Sequence, residues 1–124
     1  VIGLTFDTGA LIALERRRQR MKDVFENALA REQRIVVPAD VVGEWWRGRT
    51  SLRLSILQSV DVEPLSEALA KEAGETLAAV KGATLVDAIV MASAASRGDV
   101  VYTSDVEDLE RLRVRFPSVR VQGV

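Results

Sequence analysis

Apolar positions recur in short blocks along the chain, and the period within the blocks alternates between strand-like and helical. The opening Val1 to Phe6 is apolar and β-rich, and Asp7-Thr8-Gly9 supplies turn and N-cap residues ahead of the apolar run Ala10 to Leu14. This pattern predicts strand, turn, helix. Met21, Val24, Phe25, Ala28 and Leu29 stand at helical spacing, and Ile35-Val36-Val37 reads as a short strand stopped by Pro38. Asp40 is placed to cap a helix that carries Val41, Val42, Glu44 and Trp45. Leu52, Ile56 and Leu57 share one face of a further helix over 50–59, and Val60 to Val62 fits a brief strand.

The second half repeats the alternation. Ser66 to Val80 is helical, Gly82 breaks the pattern, and Thr84 can cap a long helix from Leu85 to Arg97 that Gly98 ends. Val100 to Thr103 is a buried-strand pattern, Ser104 to Arg113 a helix, and Val119 to Val121 a last strand after Pro117. Strands joined by helices throughout predict an α/β fold of three layers, α/β/α, around a mainly parallel central sheet of about four or five strands. With 124 residues, 48% of them hydrophobic, the chain has material for one core and is read as a single domain over 1–124.

Composition narrows the chemistry by what it lacks. Cys and His are both absent, which removes disulfides, Cys/His zinc sites, thiol nucleophiles and imidazole acid–base catalysis. An enzyme made from this chain relies on carboxylates, hydroxyls, Lys, Arg, Tyr or backbone groups, and clustered carboxylates favour a hard divalent cation such as magnesium or manganese. No apolar run approaches the roughly 18 residues that span a bilayer, and the opening residues lack a basic leader with a cleavage site. The expectation is a soluble, cytoplasmic protein without a membrane partner.

Open parallel sheets bind ligands beyond the carboxyl ends of their strands, and Asp7 and Asp105 lie just past two such ends. Asp87 falls in the first turn of the Ala-rich helix and Glu44 on the helix after Pro38. These acids are tens of residues apart, so only the fold can gather them. Four carboxylates brought together repel one another unless a cation neutralises them, and one or two divalent ions there could activate water and orient a phosphodiester. Each acid also has a structural reading. Asp7 suits an N-cap, Thr84 with Asp87 and Ser104 with Glu107 fit a capping pattern, and Glu44 suits a solvated helix face.

Four segments together carry a resemblance. Leu4-Thr5-Phe6-Asp7-Thr8-Gly9-Ala10-Leu11-Ile12-Ala13-Leu14 resembles the opening motif of PIN domains, especially the VapC toxins of toxin–antitoxin pairs. Val42-Gly43-Glu44, Leu85 to Ala92 around Asp87, and Tyr102 to Leu109 around Asp105 resemble the later acidic motifs in the same order. The resemblance implies a PIN-like fold and an endoribonuclease that hydrolyses RNA with metal-activated water, Mg2+ or Mn2+ being the cofactor. It implies Asp7, Glu44, Asp87 and Asp105 as the catalytic acids. Asp7, Asp87 and Asp105 would bind metal directly or through water, Glu44 would serve a second metal or position water, and Asp108 would assist. Thr103 is a candidate hydroxyl contact, and Thr8 is a second that would partly compensate for Gly9, which stands where the family often has Ser. The implied partners are a VapB-type antitoxin, RNA and a second copy of the chain.

Net charge is −1, so any electropositive footprint for RNA must be local. Arg16, Arg17, Arg18, Arg20 and Lys22 form one basic cluster, and Arg47, Arg49 and Arg53 another. They are read as phosphate contacts or, equally, as solvated helix faces. Adjacent Trp45 and Trp46 point about 100° apart on a continuous helix, which predicts one exposed indole at a protein interface. Haloacid-dehalogenase phosphatases and receiver domains also begin with a strand and an acid. The first wants a second Asp where Gly9 stands, the second a late Lys that is missing after Lys81. The alternative kept open is a non-catalytic PIN-like module that binds RNA or protein.

Overall fold

The computed structural model describes residues 1–124. Five strands, β1 (Leu4–Phe6), β2 (Ile35–Pro38), β3 (Asp61–Glu63), β4 (Val100–Thr103) and β5 (Arg120–Gly123), form one sheet in the order β3-β2-β1-β4-β5. Every pairing is parallel. Seven helices flank it: α1 (Thr8–Glu15), α2 (Gln19–Ala30), α3 (Ala39–Trp45), α4 (Ser51–Gln58), α5 (Glu67–Ala79), α6 (Leu85–Arg97) and α7 (Val106–Arg111), the last running into a 3-10 turn over Leu112–Val114. The three-layer α/β fold expected from the alternating pattern is the one found.

Local chemistry sets the helix ends. Asp7, Thr50, Ser66 and Thr84 each accept a backbone N–H three residues on, from Ala10, Arg53, Leu69 and Asp87. Gly98 ends α6 in the left-handed conformation, φ 74°, which a residue without Cβ adopts freely. Two capping expectations fail. α3 begins at Ala39, two residues before a helix capped by Asp40 would, with Pro38 at the N-cap position and Asp40 inside the first turn. The Ser104–Glu107 pattern is unused, because the Thr103 hydroxyl accepts the Asp105 N–H at 2.8 Å and the helix starts only at Val106.

Strand β1 is buried on both faces, as a central parallel strand must be. Phe6, Leu11, Met21, Ile35, Val37, Val41, Val90, Met91, Val101 and Leu109 belong to a core cluster of 22 buried residues. Helix α6 packs on β1, β2 and β4 with Ala92 and Ala94 in the main core, while Ala88 packs with Ala73 of α5. From β1 the chain builds outwards through β2 to β3, then returns to lay β4 on β1's other side. The order reverses between β1 and β4, and a crevice at such a point is the expected ligand position.

Candidate functional site

Asp7 leaves the carboxyl end of β1, and Thr103 closes β4 beside it. One Asp7 oxygen accepts the Ala10 N–H at 2.8 Å and the other the Thr103 hydroxyl, so the N-cap reading and the site reading hold together. Burial of this carboxylate outweighs both hydrogen bonds, and with Asp87 and Asp105 adding repulsion its pKa is pushed up to about 6.

The other acids gather round the same edge. Asp87, in the first turn of α6, has its pKa raised by burial first and then by Asp108 and Glu44, against a lowering contact with the Thr84 hydroxyl. Asp105 is raised chiefly by its contact with the Asp108 carboxyl, with Asp87 contributing. Glu44 is exposed on α3 and accepts the Thr8 hydroxyl at 2.6 Å. Asp7, Asp87 and Asp105 thus feel one another's charge, while Glu44 and Asp108 border Asp87. Both predicted hydroxyls, Thr8 and Thr103, are engaged in orienting acids.

No three acids stand close enough to chelate one bare ion, although several raise one another's pKa. Coulomb interactions reach further than coordination bonds, so the acids share one electrostatic neighbourhood without forming a ready chelate. Such a donor set suits magnesium, which keeps several waters and takes only one or two carboxylates directly.

Sequence reasoning missed three residues here. Arg111 reaches back along α7 to Asp108 and lowers the pKa of Asp87, making it the cation at the rim of the acids; its i,i+3 spacing from Asp108 was the available signal. Asp40 lies at the same sheet edge with neither carboxylate oxygen hydrogen-bonded, and burial raises its pKa. Ser104 covers Gly9, where a Cβ would lie 2.8 Å from the Ser104 Cβ and overlap its Oγ.

The basic residues diverge. Arg17 takes a left-handed backbone, φ 57°, and with Lys22 lines a cleft against Phe25 and Leu52 of α2 and α4. Arg16 and Arg18 instead line a cleft with Gly9 and Ser104. Arg20 donates to the Gly123 carbonyl at 2.7 Å, Arg47 to the Trp46 carbonyl at 2.8 Å, and Arg53 pairs with Glu15 at 2.9 Å. Arg49 is exposed. Neither indole is exposed as expected. Trp45 is buried and donates to Glu15 at 2.9 Å; α3 ends there, and extended backbone at Trp46 folds its ring edge-on against Trp45.

No helix is long and apolar enough to cross a membrane. The family model described as PIN domain matches residues 4–114. No curated protein sequence matches the chain. Among solved structures, the chain superposes with TM-score 0.77 on a chain of DNA-bound VapBC from Salmonella typhimurium, at 15% identity over 99% of this chain and 98% of that one. VapBC2 from Rickettsia felis, bound to a promoter DNA fragment, gives TM-score 0.76 at 13% identity, covering 99% of both chains. A toxin–antitoxin complex from Klebsiella pneumoniae gives 0.72 at 21% identity, over 94% of this chain and 95% of that one.

Proposed function

The chain belongs to the PIN-domain family, and on that premise we propose that it is a divalent-metal-dependent endoribonuclease acting as the toxin of a toxin–antitoxin pair. The observation that carries this reading is the gathering of acids at the carboxyl ends of β1 and β4. There Asp7, Asp87 and Asp105, from distant segments, lie within reach of one another's charge, with Arg111 as the cation at their rim.

In this reading Asp7, Asp87 and Asp105 hold Mg2+ or Mn2+ directly or through water, and Glu44 holds a second ion or a water. A bound ion supplies an activated water and neutralises charge on a phosphodiester under attack. The chain's own part is positioning. Thr103 and the Ala10 amide fix both oxygens of Asp7, leaving its carboxylate one orientation. Thr8 fixes Glu44 from the first turn of α1. Asp108, tied to Arg111 and touching Asp105, sets the far side of the acidic edge. Neither His nor Cys is needed for any of these roles.

Purified protein, freed of any partner, should cut a mixed single-stranded RNA pool with manganese or magnesium, and not with a chelator or as Asp87→Asn. No cutting in any lane transfers the reading to a non-catalytic binding module. The likeness in fold to chains of VapBC complexes supports a cognate VapB-type antitoxin as partner, and a second copy of the chain is proposed beside it. Expression of the wild type should arrest growth, Asp87→Asn should not, and a co-expressed cognate antitoxin should restore growth.

A further inference from the structure

A cleft of about 350 Å³ opens on the exposed side of α1, lined by Arg16 and Arg18 on one side and Ser104 on the other, over Gly9, Ile12 and Ala13. It adjoins the acidic edge directly. Gly9 lies two residues after Asp7, and Ser104 immediately precedes Asp105.

Three features mark it as built for an anion. First, Arg16 and Arg18 have no carboxylate or carbonyl partner, a state they share with Arg17, Arg31, Arg49 and Arg120, and of these six only they line this cleft. The left-handed turn at Arg17 sends its side chain to another cleft, so Arg16 and Arg18 line this one together with Val124 and with no Asp or Glu, while Arg16 also borders a neighbouring cleft that holds Glu15 and Glu44. Second, the Ser104 hydroxyl is exposed and makes no hydrogen bond, which leaves it free to donate. Third, Gly9 has an ordinary right-handed helical backbone, so conformation does not call for glycine; space does, because any Cβ there would overlap the Ser104 Oγ. Glycine therefore keeps both the hydroxyl and the cleft floor open.

We propose that this cleft is a phosphate subsite, in which Arg16, Arg18 and the Ser104 hydroxyl hold the backbone phosphate of a nucleotide next to the one at the acidic edge. The assignment rests on the nuclease reading and extends it to how the strand is held. A planar guanidinium pairs with phosphate in two parallel hydrogen bonds, and a hydroxyl opposite fills a third oxygen. Phosphate contacts hold the strand in place and carry no sequence information of their own.

The test measures binding of a labelled single-stranded RNA to the intact protein over a series of salt concentrations, in an Asp87→Asn background with magnesium present. Arg16→Gln with Arg18→Gln should weaken binding at least about tenfold and flatten the salt dependence by about one to two phosphate contacts. Arg17→Gln with Lys22→Gln, which face the other cleft, should do less. Ser104→Ala should weaken binding several-fold. Gly9→Ser alone should weaken it by displacing Ser104, and Gly9→Ser combined with Ser104→Gly should recover it by returning one hydroxyl to the same space.

Equal binding and an unchanged salt slope in the Arg16/Arg18 variant overturn the proposal, as does a parent protein that holds no RNA at low salt. A change in competition by inorganic phosphate without any change in RNA binding also overturns it, assigning the cleft to a free anion. The two readings separate cleanly. Protein that cuts RNA while the arginine variants bind and cut as before removes only the cleft, and protein that binds as expected but never cuts removes only the nuclease.

Discussion

Two buried aspartates flank the β1–β4 seam, one at each end, and they are treated in opposite ways. Asp99 precedes β4 and accepts the Thr5 hydroxyl of β1 at 2.8 Å; Asp7 follows β1 and accepts the Thr103 hydroxyl of β4. Both are almost inaccessible, at 5% and 7% exposure. Asp99, however, also receives the Arg97 guanidinium at 2.9 Å, and Arg97 reaches Glu63 at 2.7 Å, Ser93 at 2.9 Å and Thr5 at 3.0 Å. Asp7 has hydrogen bonds and further acids, and no cation of its own. Burial without a counter-ion costs stability, so the contrast separates a charge the fold pairs with a cation from one it leaves unpaired.

The comparison breaks most visibly at Arg97. Arg97→Met leaves the buried Asp99 and the half-buried Glu63 without their cation, and should lower the unfolding free energy in urea by about 3 kcal/mol. A loss under about 1 kcal/mol would mean that the network is not the fixture described. Asp7→Asn should act with the opposite sign. Its folded-state pKa of about 6 lies above the unfolded value near 4, so ionisation penalises the native state. That penalty is absent below about pH 4, grows as pH rises towards about 6, and is complete above it, at no more than about 3 kcal/mol. In chelator, Asp7→Asn should therefore match the wild type at low pH, exceed its stability by roughly 1–3 kcal/mol at pH 7, and cut no RNA.

Metal addition sharpens the contrast. Magnesium or manganese should raise the wild-type melting temperature by mass action, by about 2.7 kcal/mol at a hundredfold excess over Kd. Asp87→Asn should blunt this response, while a conservative Arg97→Lys should keep it. An undiminished response in Asp87→Asn removes Asp87 from the ligand set. The smallest effect belongs to the exposed pair Lys71–Glu67, 2.6 Å apart on α5. Lys71→Met should change stability by about 0.5 kcal/mol or less, because without burial pairing matters little.

Much of the frame was legible because local signals agreed with the global answer. Thr84 and Gly98 bracket α6 as the sequence predicts, and Val100 to Thr103 is strand β4. The acids at strand ends were legible from the same pattern. Elsewhere a long-range partner decided the outcome. Ser104 fails as a cap because Thr103, held by Asp7 across the sheet, already occupies the turn. The run of basic residues from Arg16 to Lys22 looks like one patch in sequence, and a single left-handed residue splits it between two clefts. The standing of Gly9 depends on Ser104, and no local window contains both.

The strand order carries a further consequence, for the timing of synthesis. Strand β1 sits at the centre of the sheet, and one of its two neighbours, β4, is made long after it, beyond residue 99. Such distant pairing is intrinsically late and slow. A nascent chain halted before residue 100 has Asp7 but neither Thr103 to orient it nor Asp105 beside it. Whatever the acidic edge does, an unfinished copy emerging from the ribosome lacks the parts to do it.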